Sequence, residues 1–111
     1  MFIYHREKEM IKKAVILEVF DFLKQKGVVA SESEFSQDWL GQCSSYFRGL
    51  RFKKTEPSIG VIAICASRLM NASEQLGRHP RYQQLAEQFA LMSEKCRALV
   101  DADSVEFDLA A

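Results

Sequence analysis

Pro57-Ser58-Ile59-Gly60-Val61-Ile62-Ala63-Ile64-Cys65-Ala66-Ser67-Arg68-Leu69 begins with a proline and a serine and then brings apolar residues round at helical intervals. A serine in this position offers its side-chain oxygen to the free N–H groups of a first helical turn, so Ser58 is the expected cap. Ile59, Ile62, Cys65, Ala66 and Leu69 fall on one face, which predicts a helix continuing to Leu76, with Gly77 closing it. Within it, Val61 to Ala66 is the longest uninterrupted apolar run of the chain. That is far short of the roughly 18 to 20 residues that cross a bilayer, so no membrane span is expected.

Working outward, Arg51 to Pro57 reads as a basic loop, preceded by a helix that starts near Cys43 or Ser44 and turns Tyr46, Phe47 and Leu50 inward. Before it, Ser33 is the expected cap of a short helix through Phe35, Trp39 and Leu40, ended by Gly41. The first helix is expected over 9–26, with Ile11, Val15, Val19, Phe22 and Leu23 recurring by three and four, and Met10, Ala14, Leu17 and Phe20 widening the stripe. Gly27 supplies its left-handed stop. Downstream, Pro80 suits a first helical turn. Tyr82, Leu85, Phe89, Met92, Cys96 and Leu99 then alternate in a heptad-like seam. The residues from 102 on turn acidic and read as a frayed tail. The expectation is an all-α single domain of about five helices, with a core over 9–77 and a long C-terminal helix over 80–101.

At 111 residues and 48% apolar content, such a domain needs neither disulfide nor metal to hold its core. Cys43, Cys65 and Cys96 are odd in number and widely spaced, fitting no disulfide framework and no zinc pattern, so they read as reduced thiols and a cytoplasmic protein is expected. With His5 and His79 as the two histidines, no phosphate-cradling glycine loop and no helical zinc motif, nothing positions a catalytic trio; no enzyme, cofactor or metal is expected.

Lys plus Arg and Asp plus Glu are equal at 15 each, yet they are unevenly placed. Residues 44–81 hold Arg48, Arg51, Lys53, Lys54, Arg68, Arg78 and Arg81 against Glu56 and Glu74, while 82–111 holds two bases and six acids. Because salt screens charges beyond about 8 Å, a basic middle can present a polyanion-binding face despite a neutral total.

The run Leu40-Gly41-Gln42-Cys43-Ser44-Ser45-Tyr46-Phe47-Arg48-Gly49-Leu50, followed by the Pro57 to Leu69 stretch, resembles the helix-turn-helix domain of the lambda-repressor and Cro type, over residues about 33–70. In that family a Leu-Gly turn precedes a recognition helix whose inward residues fall where Phe47 and Leu50 stand, and Pro-Ser opens the next helix. In this chain Arg51 and Lys53 stand where the family usually has Glu and Gly, which adds two cations. The resemblance implies a small transcriptional regulator reading double-stranded DNA. Arg48 is then the base-reading fork, Ser44 and Ser45 bond bases or phosphates, and Arg51, Lys53 and Lys54 position the domain on phosphates. A homodimer is the usual partner state for such a reader, and the seam of Tyr82, Leu85, Phe89, Met92, Cys96 and Leu99 is the expected contact, alone or together with packing on its own core. The alternative is a protein-interaction module on the same scaffold, an antitoxin-like or inhibitor protein docking on a larger complex.

Overall fold

The computed structural model describes the backbone of residues 2–110 and the side chains of 11–103. It is all-α: α1 (Phe2–Gln25), α2 (Glu32–Asp38), α3 (Tyr46–Phe52), α4 (Ile59–Gly77) and the long C-terminal α5 (Gln83–Ala110), with a 3-10 turn at Pro80–Tyr82 leading into α5. Among the described residues there is no strand. No helix of them is long and apolar enough to cross a membrane.

α4 and α5 form an antiparallel hairpin with the most extensive interface of the fold. Ser58 caps α4 as its sequence predicts, accepting from the Val61 N–H at 3.2 Å. Val61, Ile62, Cys65, Ala66, Leu69 and Ser73 are buried along α4, and Ala86, Phe89, Ser93 and Cys96 along α5. Two hydroxyls cross this interface in opposite directions. Ser73 of α4 donates to the Ala86 carbonyl of α5 at 2.6 Å, and Ser93 of α5 donates to the Ala66 carbonyl of α4 at 2.7 Å. Such bonds to another helix's backbone require axes that approach closely, which alanine and serine at the contact permit. At the turn that links the two helices, Gln83 donates through Nε2 to the Gly77 carbonyl at the end of α4 and to the His79 carbonyl, which also accepts from the Tyr82 N–H.

The seam that the sequence offers to a second copy is used inside the molecule. Phe89 and Cys96 are fully buried, Leu85, Met92 and Leu99 pack half-buried against the same core, and Tyr82 is exposed. Phe89 meets Phe22 edge-on at 5.1 Å between ring centroids, and Trp39 lies 6.2 Å away.

Several boundaries differ from the sequence reading. α1 begins at Phe2 instead of Glu9, and α5 continues to Ala110 through the acidic stretch read as a tail. An ion pair that sequence separation hides, Lys12 with Asp103 at 3.0 Å, ties the start of that stretch to α1. The buried face of α1 is Ile16, Val19, Phe20 and Leu23, while Ile11 is half exposed. With apolar residues on most sides of α1, spacing alone does not fix the centre of the stripe; the neighbours do. Met10 and the acidic side chains beyond 103 lie outside the described residues.

The hairpin should depend measurably on its crossed hydroxyls. A Ser73→Ala, Ser93→Ala double variant is expected to keep its helical signal and lose about 2 kcal/mol of stability, roughly 1 for each bond, seen as a lower urea midpoint at unchanged slope.

Candidate nucleic-acid interface

α2 is capped by Ser31, not Ser33: the Ser31 hydroxyl accepts from the Glu34 N–H at 3.1 Å while the Glu34 carboxylate reaches back to the Ala30 N–H. The sequence Ser31-Glu32-Ser33-Glu34 has the Ser-x-x-Glu spacing of a capping box, with the carboxylate reaching one residue further back, to the Ala30 N–H instead of that of the cap residue itself. Gly41 follows α2 in the left-handed region at φ +65, a conformation that favours glycine, and Gly27 does the same after α1 at φ +72.

A buried serine ties α3 to α2. Ser36 donates to the Glu32 carbonyl within α2 at 2.9 Å and accepts the Phe47 N–H of α3 at 3.0 Å. An N–H in the first turn of a helix has no intrahelical acceptor, so Ser36 gives Phe47 its partner. Behind this contact Phe20, Phe35 and Phe47, one ring from each of α1, α2 and α3, meet at centroid distances of 5.2, 4.7 and 4.9 Å. Arg68 of α4 locks the far side, donating from one guanidinium nitrogen to the carbonyls of Gln37 and Asp38 at the end of α2.

With Phe47 and Leu50 buried, α3 turns Arg48 and Phe52 to the outside. The helix starts at Tyr46, two or three residues later than the sequence suggests, so Ser44 and Ser45 belong to the exposed turn before it. Ser45 occupies the cap position without a capping bond; its hydroxyl lies 3.6 Å from the Cys43 sulfur instead. Trp39 and Tyr46 pack half-buried against the core and offer no free ring. Cys43, Ser45, Gly49, Lys53 and Thr55 line a groove of about 270 Å³ between the turn and the loop after α3.

The predicted cations separate into two kinds. Arg51 is ion-paired with Glu32, and Arg68 is spent on α2, so both serve the fold. Arg48, Lys53 and Lys54 are exposed and have no ion-pair partner among the described residues. The sequence reading missed a further member: Lys13 of α1 donates through Nζ to the Lys53 carbonyl at 2.9 Å, which brings its charge to the same loop. No local signal in the sequence connects positions forty residues apart; only the packing of α1 does.

The thiols also divide. The Cys43 thiol is exposed, and its hydrogen bond with the Ser45 side chain holds its pKa below the ordinary thiol value. Cys65 and Cys96 are buried, and the Cys65 thiol is pushed up by the contact with Cys96 and then by burial. Among the described residues no group of His, Cys, Asp and Glu is arranged to hold a metal ion.

Residues 16–108 match a family of unknown function (DUF6626), and the chain belongs to that family. The match begins at Ile16, the first buried residue among those described, and takes in both the hairpin and the α2 to α3 unit. Comparison with curated proteins and with solved structures gave no match.

The thiol chemistry is directly testable. In the folded protein one thiol of three should react with Ellman's reagent, that of Cys43, and the other two only in denaturant. Because the thiolate is the reactive form and is favoured at Cys43, its alkylation rate should rise at a lower pH than in the denatured chain.

Proposed function

We propose that this DUF6626 chain is a small DNA-binding regulator in which α3 meets the major groove of duplex DNA, Arg48 reads a base and Lys13, Lys53 and Lys54 contact phosphates. One observation carries the reading: Arg48, Lys53 and Lys54 are exposed on α3 and its following loop with no ion-pair partner among the described residues, and Lys13 reaches that loop through the Lys53 carbonyl, while Arg51, Lys12 and Lys95 are ion-paired and Arg68 is bonded to the end of α2; Glu56 is the acid that lines the groove beside Lys53. A cationic excess at one place on a chain of zero net charge is an electrostatic footprint for a polyanion. The arginine fork matches the two acceptors that guanine presents in the major groove, whereas lysines on a loop attract phosphates without reading sequence. Ser44 and Ser45, exposed in the turn before α3, are placed to add hydrogen bonds to either.

A helix of seven residues reaches few base pairs, so the reading includes a homodimer on a two-fold symmetric site. Since the heptad-like seam is occupied by the core, pairing falls to the outer side of α5, where Leu91 is 58% exposed. That side borders a groove of about 600 Å³, lined by Phe22 of α1 with Met92 and Ala98 of α5. The same groove supports the second reading, a protein-binding module, in which a larger complex occupies it and the cations are a solvated surface.

Salt dependence separates the two. Duplex binding should fall steeply between about 50 and 200 mM salt, and a Lys53→Ala, Lys54→Ala double variant should flatten that slope by about two units on every duplex. An Arg48→Ala variant should instead lose affinity for the preferred duplex far more than for random sequence, by about 1 to 3 kcal/mol if its guanine pair is lost. No salt-dependent binding in the wild type would favour the protein partner.

A further inference from the structure

The outer face of α3 carries two features that the fold itself does not use. Phe52, in the last turn, is 79% exposed, the most exposed large apolar side chain among those described. Gly49 stands between Arg48 and Phe52 in the middle of the helix, where glycine lowers stability relative to alanine. Its φ is not positive, and beyond its chain neighbours and the backbone of α3 itself a Cβ built there would meet nothing within 4 Å. Neither backbone strain nor internal packing therefore calls for glycine at this position. What the missing side chain provides is a gap on the surface, through which something outside the chain can approach the α3 backbone.

The surroundings of Phe52 say what kind of surface fits. Its chain neighbours are Arg51, Lys53 and Lys54, and Arg48 lies one helical turn back on the same side. An apolar protein pocket receiving this ring would have to desolvate the flanking ammonium groups, which is unfavourable without acidic partners. A DNA major groove meets both needs, because phosphates take the cations while the C5-methyl of thymine offers an apolar contact. Arg48 and Phe52 are about 6 Å apart along the helix axis at 1.5 Å per residue, and base pairs stack at about 3.4 Å, so the two side chains reach positions one or two base pairs apart.

We propose that Phe52 packs on thymine methyl groups next to the guanine paired with Arg48, and that Gly49 lets the base edges come up to the main chain of α3. This rests on the duplex-DNA reading above and adds a base preference to it. The sequence reading passes over Phe52 because it assigns Arg51 to Pro57 to a loop; once α3 runs to Phe52, the residue lies off the inward stripe of Tyr46, Phe47 and Leu50.

The test uses duplexes enriched from a random pool by the wild-type protein, resynthesised with uracil in place of thymine, which removes only the methyl groups. Wild-type affinity should fall roughly fourfold for each contacted methyl. Phe52→Ala should bind both versions equally, at the level of the wild type on uracil DNA, with an unchanged helical signal. A Gly49→Ala variant should melt at a higher temperature than the wild type and yet bind the thymine duplex more weakly. Indifference of the wild type to uracil, or an equal uracil effect in Phe52→Ala, overturns the assignment of Phe52. A Gly49→Ala variant that binds as tightly as the wild type overturns the role of the gap. Failure of the wild type to enrich any duplex at low salt overturns the DNA reading itself, a result distinct from either.

Discussion

The crossed hydroxyl bonds between α4 and α5 are the constraint on which the remaining structure depends. Each serine lies seven residues from the alanine whose carbonyl its own helix offers in return, Ser73 with Ala66 and Ser93 with Ala86. The two bonds are therefore about 10.5 Å apart along the interface, or nearly two turns. A slip of one residue would move a helix by about 1.5 Å and rotate its contact face by about 100°, which breaks both bonds together and leaves their polar atoms buried. The same rotation would carry the apolar stripes out of the core, so packing and the two directional bonds select one register together. With this register fixed, Phe89 sits opposite α1 and the guanidinium of Arg68 is aimed at the end of α2.

A second layer of constraint transmits that register to α3. Phe20, Phe35 and Phe47 supply the apolar contact, but ring packing permits a range of tilts; the Ser36 hydroxyl narrows it by accepting the Phe47 N–H. Arg68 adds a third tether through the last carbonyls of α2, and its guanidinium lies 3.4 Å from where a Cβ on Gly41 would stand. The outward direction of Arg48 thus follows from buried serine, buried rings and one arginine, none of which faces a ligand. Cations that look alike in the sequence differ in availability for this reason.

The sequence made the helix count, Ser58, Gly27 and Gly41 legible because each rests on chemistry within a few residues. The cap of α2 was legible as well, but two serines competed, and the decisive signal was Glu34 three residues after Ser31, where its N–H donates to the Ser31 hydroxyl, instead of the nearness of Ser33 to the apolar run. What local reading does not contain is partnership across long separations. Arg51 with Glu32, Lys12 with Asp103 and Lys13 beside Lys53 each link residues nineteen or more positions apart, and together they redraw which charges are free. The seam of α5 shows the same limit, since a heptad-like stripe states that something must cover it and leaves open whether that is another chain or α4 and α1.

The contrast between the α4–α5 hairpin and the docking of α1 has a kinetic side. The hairpin closes over a short link, so its contacts form at a small loop-closure cost and do not wait for the rest of the chain. α1 reaches α5 over a far longer separation, and at its periphery it is held by ion pairs such as Lys95 with Glu18 that remain about half exposed to solvent. On loop-closure cost the hairpin contacts are the cheaper to form, and the amides of α4 and of the facing part of α5 are expected to be the slowest to exchange with solvent. Lys13 belongs to α1 while Lys53 belongs to the loop after α3, so the full cationic patch exists only where α1 is docked on the rest of the chain.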